Sequence, residues 1–295
     1  MSKYLCTFSG KYGDILWSLA TARFISERIV NQPVDFAVMP YYTSLLPLLA
    51  SQNYIEHVFV HEGWLRTHSN HGDQPWQPPD DIKFKKYAPE EYERMWHLTY
   101  RGHPGITAPS MPLIQFIAYQ QGIGFNEWNP IPFINASDDI EPLATPVHFA
   151  TGQMPDVIAS RKLISYAFND QYGEMKKTFF EELWKQTREA GFEFFNVAEV
   201  GWKEAAWIIS RSLCYVGCRS ADWVLAMGLG KETITFEPHP SRHKTCHLGT
   251  VFGSPYGTEV ALPFGIPEVV AGQTASSLIH NIWERERKIQ YADVT

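Results

Sequence analysis

Short apolar runs alternate with helically spaced stretches along almost the whole chain, and few folds accommodate that order. The run "YLCTF" at 4–8 is followed by a stretch from Gly13 to Val30 in which Ile15, Leu16, Leu19, Ala22, Phe24, Ile25 and Ile29 recur at helical spacing. "VDFAVMP" at 34–40 then reads as a strand, "TSLLPLLASQ" at 43–52 as a short helix after Pro40, and "IEHVFVH" at 55–61 as a third strand. A β-α-β-α-β order calls for a parallel sheet with right-handed crossovers. "MWHLTY" at 95–100 is a candidate fourth strand, and "MPLIQFIAYQQGIG" at 111–124 a helix closed by glycine.

The acidic, proline-containing stretch "INASDDIEPLATP" at 134–146 interrupts this pattern and marks the expected domain junction. Beyond it the alternation restarts. "KLISYAF" reads as a buried strand, "KKTFFEELWKQTREAG" as a helix closed by Gly191, and "FEFFNV" as a strand. Helix "WKEAAWIISRS" leads to strand "LCYVG", helix "SADWVLAMGLG" to strand "ETITFE", and "TASSLIHNIWERERKIQ" is a C-terminal helix. The expectation is an α/β chain of two Rossmann-like domains, 1–145 and 146–295, whose parallel sheets face each other across a cleft. Ligands of such sheets sit outside the carboxyl ends of the strands.

A length of 295 residues suits one large or two ordinary domains, and 44% apolar with 19% charged residues describes a globular protein. No stretch reaches the apolar length of a membrane span, and no export signal opens the chain, so a cytoplasmic location is expected. Cys6, Cys214, Cys218 and Cys246 are scattered, which favours reduced, buried thiols over a disulfide framework. A formal charge of -7 gives no general footprint for nucleic acid, and the only basic run, "IKFKKY" at 82–87, reads as a solvated loop face. That run belongs to a long irregular insert, 63–89, rich in Pro, His and Trp.

The strand order places two turns at the cleft. In "SGKYGD", Gly10 and Gly13 permit a tight turn and close approach of another molecule, while Asp14 is either a first-turn acid favoured by the helix dipole or a working carboxylate. In "VGCRSADWVLAMGLG", Gly217 releases a strand, Ser220 is a good N-cap and Asp222 falls in the first helical turn. The N–H groups at that helix start suit a phosphate or diphosphate, with Arg219 alongside. A serine that merely caps a structural helix is the alternative.

Together these two stretches resemble the ADP-heptose:lipopolysaccharide heptosyltransferase family. "GKYGDILWSLATARFISER" is similar to its opening strand, glycine turn and Gly-Asp-(aliphatic)-Leu motif; "EAAWIISRSLCYVGCRSADWVLAMGLGKETITFEPHPSRH" is similar to its second signature. The resemblance implies a GT-B glycosyltransferase fold, with the nucleotide-sugar donor held mainly by the second domain and the acceptor hydroxyl mainly by the first. It implies that Asp14 is the general base of an inverting, metal-independent transfer. It further implies that Ser220, Ala221 and Asp222 form the phosphate-facing turn, that Arg219, Lys176 or Lys177 neutralise charge, and that Glu237 and Arg242 border the nucleotide. Arg219 replaces an acidic residue of the family, Val224 a histidine and Ala221 a glycine, so the donor's identity stays open.

No cofactor beyond the donor is expected. His239, His243, Cys246 and His247, and separately His61, His68 and His71, are ligand types, but Pro238 and Pro240 interrupt the first set. Histidines of 61–71 and 97–103 are expected to line the acceptor side instead. Trp64, Trp76, Trp96 and Trp128 have two readings, stacking on a sugar or base and core packing, with core packing the safer for any single one, while Trp184, Trp207 and Trp223 read as core. Besides a glycan acceptor, a modified DNA base and a non-catalytic sugar-nucleotide binder of the same fold remain as alternatives, with nucleic acid disfavoured by the acidity.

Overall fold

The computed structural model describes residues 3–8, 11–60, 92–98, 113–124, 132–138, 163–167, 174–189, 191–218, 220–236 and 257–260. The 63–89 insert with its basic run, both histidine groups, Trp64, Trp76, Trp128 and the expected C-terminal helix lie outside the described residues.

Strands β1 (Tyr4–Thr7), β2 (Val34–Val38), β3 (Ile55–Val60) and β4 (Arg94–His97) form one sheet in the order β3-β2-β1-β4. Strands β5 (Leu163–Ala167), β6 (Glu193–Asn196), β7 (Cys214–Cys218), β8 (Thr233–Phe236) and β9 (Gly257–Val260) form a second, in the order β6-β5-β7-β8-β9. Every pairing is parallel, as the alternation in the sequence requires. In the first sheet the chain winds outward from β1 to β3 and returns to the far side of β1 as β4. In the second it steps from β5 to β6 and returns beyond β5 as β7. Each sheet therefore has one crevice where its winding reverses, between β1 and β4 and between β5 and β7.

Helix α1 (Tyr12–Phe24) continues as a π-helix over Ile25–Val30 and stops at Asn31, which takes a left-handed φ of 52°. The sequence pattern read this as one helix from Gly13 to Val30; the change of winding at Ile25 does not alter apolar spacing enough to be visible there. Ile15, Leu16, Trp17, Ser18, Leu19, Ala20, Thr21 and Ala22 are all buried, so α1 is enclosed around most of its circumference. A helix apolar nearly all round belongs inside a molecule. One side lies on the first sheet's core and another against α6 (Ala221–Gly228) of the second half, where Trp17 meets Trp223 edge-on at 5.8 Å.

The remaining helices follow the expected pattern with local differences. A 3₁₀ turn over Pro40–Leu45 precedes α2 (Leu46–Ala50), and α3 spans Leu113–Gln120. Helix α4 (Glu174–Glu189) ends before Gly191 and α6 before Gly230, at φ of 83° and 73°, conformations that cost glycine little. Helix α5 spans Trp202–Arg211. Trp223 is buried and Trp207 packs on the core as expected, but Trp184 is 43% exposed on α4, because that helix presents it away from its sheet. Trp96 is buried on β4 beside Tyr4, the core-packing one of its two readings. Cys6 and Cys214 are free and buried, and burial pushes the Cys6 thiol well above its ordinary range, which leaves it unreactive.

Residues 132–138, at the start of the expected junction, are tied to both halves. The backbone N–H groups of Phe133 and Ile134 donate to Gly228 O at 2.8 and 2.9 Å. From the first half, Tyr54 Oη donates to Phe133 O at 2.7 Å, Arg23 donates to Pro132 O, and the Gln52 amide both donates to and accepts from the backbone of Asn135. Arg211 pairs with Asp138 at 2.6 Å.

A Cβ on Gly228 would lie 2.8 Å from Ile134 Cγ1 and 2.9 Å from Phe133 Cε2, both fully enclosed. Gly228→Val is therefore expected to destabilise the chain by about 1–3 kcal/mol, the usual cost of overpacking. Urea denaturation measures it, and an unchanged midpoint contradicts this packing.

Candidate functional site

The carboxyl ends of β1 and β7 each feed a helix, and the starts of those helices touch. A Cβ built on Gly13, in the first turn of α1, would lie 3.6 Å from Ala221 Cα and 3.6 Å from Val224 Cγ2 on α6. Gly13 lies inside the helix and carries no positive φ, so its role is close approach and not the tight turn expected of it. The two motifs singled out in the sequence, more than half the chain apart, thus meet at one point.

Asp14 follows directly and is half-buried. Its Oδ2 accepts from the Lys11 backbone N–H at 3.2 Å, so the carboxylate folds back over the helix start in the manner of an N3 capping acid. The capping role foreseen as its structural alternative is real, and it holds the carboxylate at the end of α1 nearest α6.

On the other side of the contact, Ser220 occupies the N-cap of α6 with extended backbone, but its hydroxyl does not cap the helix. It donates instead to Asp222 Oδ2 at 3.2 Å. The N-cap role expected of the Ser220 side chain is corrected accordingly: Ser220 takes the N-cap position, but the side chain is turned to Asp222 and its oxygen accepts from no backbone N–H of the helix. Burial raises the Asp222 pKa above its ordinary value, opposed by the Ser220 hydroxyl and by the residue's own backbone N–H.

Gly217 stands at the winding reversal of the second sheet, paired with Ala167 of β5. A Cβ there would lie 2.6 Å from Tyr215 Oη and 2.9 Å from the Ala167 carbonyl oxygen, so this position is glycine because its neighbours already fill the space a side chain would take. Lys176 and Lys177 fall in the first turn of α4, which follows β5 and so begins at the same edge of the sheet. Gly10, Arg219, Glu237 and Arg242 lie outside the described residues.

Sequence reasoning gave no role to an aromatic group bridging the halves beside Asp14. Tyr12, the first residue of α1, stacks on Trp202 of α5 at 5.2 Å and meets Tyr42 edge-on at 4.8 Å. Trp202 Nε1 donates to Ser44 Oγ (3.3 Å), Ser44 Oγ donates to Tyr12 Oη (3.0 Å), and Tyr12 Oη donates to Tyr41 O (3.3 Å). The available signal was position: Tyr12 and Trp202 each open a helix that follows a strand's carboxyl end. In the first sheet's crevice Thr7 Oγ1 lies 2.6 Å from His97 Nδ1. Among the described residues no cluster of His, Cys, Asp and Glu could hold a metal, and no helix is long and apolar enough to cross a membrane.

No protein-family model and no curated protein matches the sequence. Solved structures do match in fold. The bacterial iron-containing dodecameric glycosyltransferase TibC from enterotoxigenic E. coli H10407 aligns at a TM-score of 0.53 and 13% identity, over 89% of this chain and 63% of TibC. E. coli ADP-heptose lps heptosyltransferase II aligns at 0.53 and 11% identity over 97% of this chain and 100% of its own length. E. coli heptosyltransferase WaaC with ADP aligns at 0.50 and 12%, over 95% and 99%. The fold is that of the GT-B glycosyltransferases, and the resemblance to heptosyltransferases seen in the sequence holds at the level of the fold.

Because the folded pKa of Asp222 is raised, the folded chain binds its proton more tightly than the unfolded chain does. Its contribution is neutral below the ordinary value of 3.8, where both states are protonated, and becomes destabilising as pH rises from there through the folded value. Asp222→Asn is therefore expected to gain thermal stability relative to wild type as pH is raised from 3.8 toward neutrality. Melting curves across that range test this, and a parallel pair of curves contradicts it.

Proposed function

We propose that this chain is a glycosyltransferase that moves a sugar from a nucleotide-sugar donor to an acceptor hydroxyl. The observation that carries the reading is the contact of Gly13 with Ala221, which puts Asp14 and the Ser220–Asp222 turn on either side of one junction between two sheet crevices. Residues 1–145 form the acceptor-side domain and 146–295 the donor-side domain. The turn at the start of α6, with no side chain capping the helix, offers backbone N–H groups to the diphosphate. Gly217 near the end of β7 leads into this turn, and Lys176, Lys177, Arg219 and Arg242 supply positive charge. Glu237 borders the nucleotide.

A sugar hydroxyl is a weak nucleophile until a placed base begins to take its proton. Asp14 is that base. As the acceptor oxygen attacks C1 of the donor sugar from the face opposite the diphosphate, the C1–oxygen bond to the diphosphate breaks and the proton passes to Asp14, so the configuration at C1 inverts. The growing charge on the departing nucleoside diphosphate is stabilised by the start of α6 and the cationic side chains, which is work a helix N-terminus can do without a metal. TibC is described as iron-containing, and that is a property of TibC. The donors considered include ADP-heptose, because one solved neighbour is WaaC with ADP-2-deoxy-2-fluoro heptose.

Incubation with a panel of sugar nucleotides, in the presence and absence of EDTA, with release of free nucleotide as the readout, tests the reading. Turnover that survives EDTA is expected from wild type. Asp14→Asn is expected to lose about 10²–10⁴-fold in kcat, the range for general base catalysis, with donor affinity little changed. Binding without release identifies a non-catalytic binder and refutes the enzyme; full activity in Asp14→Asn removes Asp14 as the base.

A further inference from the structure

Tyr12 opens α1 and Trp202 opens α5, in different halves of the chain, and their rings stack at 5.2 Å with planes 28° apart. Tyr42 meets the same Tyr12 ring edge-on at 4.8 Å. Both are favourable geometries for aromatic pairs. The Tyr12 hydroxyl is held too: Ser44 Oγ donates to it at 3.0 Å, it donates to Tyr41 O at 3.3 Å, and Trp202 Nε1 donates to Ser44 Oγ at 3.3 Å. Ring and hydroxyl of Tyr12 are thus both fixed, and Trp202 takes part in each.

Tyr12 stands two residues before Asp14 in the same helical turn. That turn is closed around it, because Lys11 N–H donates to Asp14 Oδ2 at 3.2 Å and Ile15 N–H donates to Lys11 O at 2.9 Å. Whatever fixes Tyr12 therefore fixes the backbone that carries Asp14. An aromatic pair that served only to join the halves would add burial, which Trp17 against Phe133 and Trp223 already supplies. The hydrogen-bonded relay adds direction, which burial does not require. Direction matters at a helix start whose side chain must meet a substrate within a fraction of an ångström.

We propose that Trp202 is a positioning residue for Asp14: through Tyr12 it holds the first turn of α1, and with it the general base, in place against the second half. The base of the transfer is thereby set by a residue of the donor-side half. The inference rests on the glycosyltransferase reading above, with Asp14 as the base.

The experiment uses the full chain and a donor and acceptor that wild type turns over. Trp202→Ala, Trp202→Phe and Ser44→Ala are each made in wild type and in Asp14→Asn, with melting curves to confirm folding. Ser44 is exposed, so its variant stands in should Trp202→Ala not fold. Misplacing a reacting group by 1 Å costs about 10²-fold, and a partial displacement in Trp202→Ala is expected to lower kcat by roughly tenfold, with donor and acceptor KM within about twofold of wild type. Trp202→Phe keeps the stacked ring and is expected to recover kcat to within about threefold of wild type, while Ser44→Ala, which breaks the relay alone, lowers it by about three- to fivefold. In Asp14→Asn the same changes are expected to cost less than about twofold, since a residue that acts through Asp14 has no base left to place. An undiminished loss in Asp14→Asn, a rise in KM in place of the fall in kcat, or unchanged kcat in the folded variants overturns the inference. Full activity of Asp14→Asn itself removes the base, and this inference with it, but leaves the glycosyltransferase standing. A wild type that releases nucleotide from no donor refutes both.

Discussion

The structure turns on the burial of α1 between two sheets that do not share a strand. An ordinary surface helix of an α/β fold has one apolar stripe and one wet face. Here Ile15, Leu16 and Leu19 are buried together with Trp17, Ser18 and Thr21, and the Trp17 ring lies against both Phe133 and Trp223. Fully burying side chains of this size contributes about 1.5–3 kcal/mol each, so the seam between the halves holds as a core does. Its geometry is set by small residues. Gly13 lets α1 approach the backbone of Ala221, and Gly228 at the other end of α6 receives the N–H groups of Phe133 and Ile134.

That seam brings together local parts that are each weak. Neither helix start is a site on its own. Asp14 caps α1 and Ser220 satisfies Asp222, both commonplace arrangements. Brought together at Gly13 and Ala221, they place a carboxylate and a set of helix-start N–H groups where two crevices open, one beside Thr7 and His97, the other beside Gly217. The hydrogen-bonded chain from Trp202 through Ser44 and Tyr12 to Tyr41 runs across the same junction and ties the first turn of α1 to both halves.

Much of this fold was legible because apolar periodicity and glycine punctuation are local. Among the described residues eight of the nine strands coincide with apolar runs, and Gly191 and Gly230 stop helices where the pattern placed them. The edge strand β9, "GTEV", has too little apolar character to announce itself, since an edge position needs less burial. The π-helix after Phe24 buries Ile25 and Ser26 and leaves Ile29 exposed, a change of facing that the spacing of apolar residues in the sequence does not report. The site was legible in its two turns, through glycine, serine and carboxylate placed at strand ends. The pairing of Thr7 with His97, and of Tyr12 with Trp202, was not, because each depends on register or contact between segments far apart in the chain. Trp184 misled for the opposite reason: a tryptophan on a helix suggests core, and only the helix's rotation decides it.

The approach of α1 to α6 can be measured in solution. A Cβ on Gly13 would lie 3.9 Å from Ala221 Cβ, within the 3.5–4.5 Å over which disulfides form without strain. The Gly13→Cys, Ala221→Cys double variant, oxidised mildly and examined by mass spectrometry after proteolysis, is expected to yield the 13–221 cross-link in high proportion while each single variant keeps its thiol. Persistent free thiols at both positions in the folded double variant would contradict the meeting of the two helix starts.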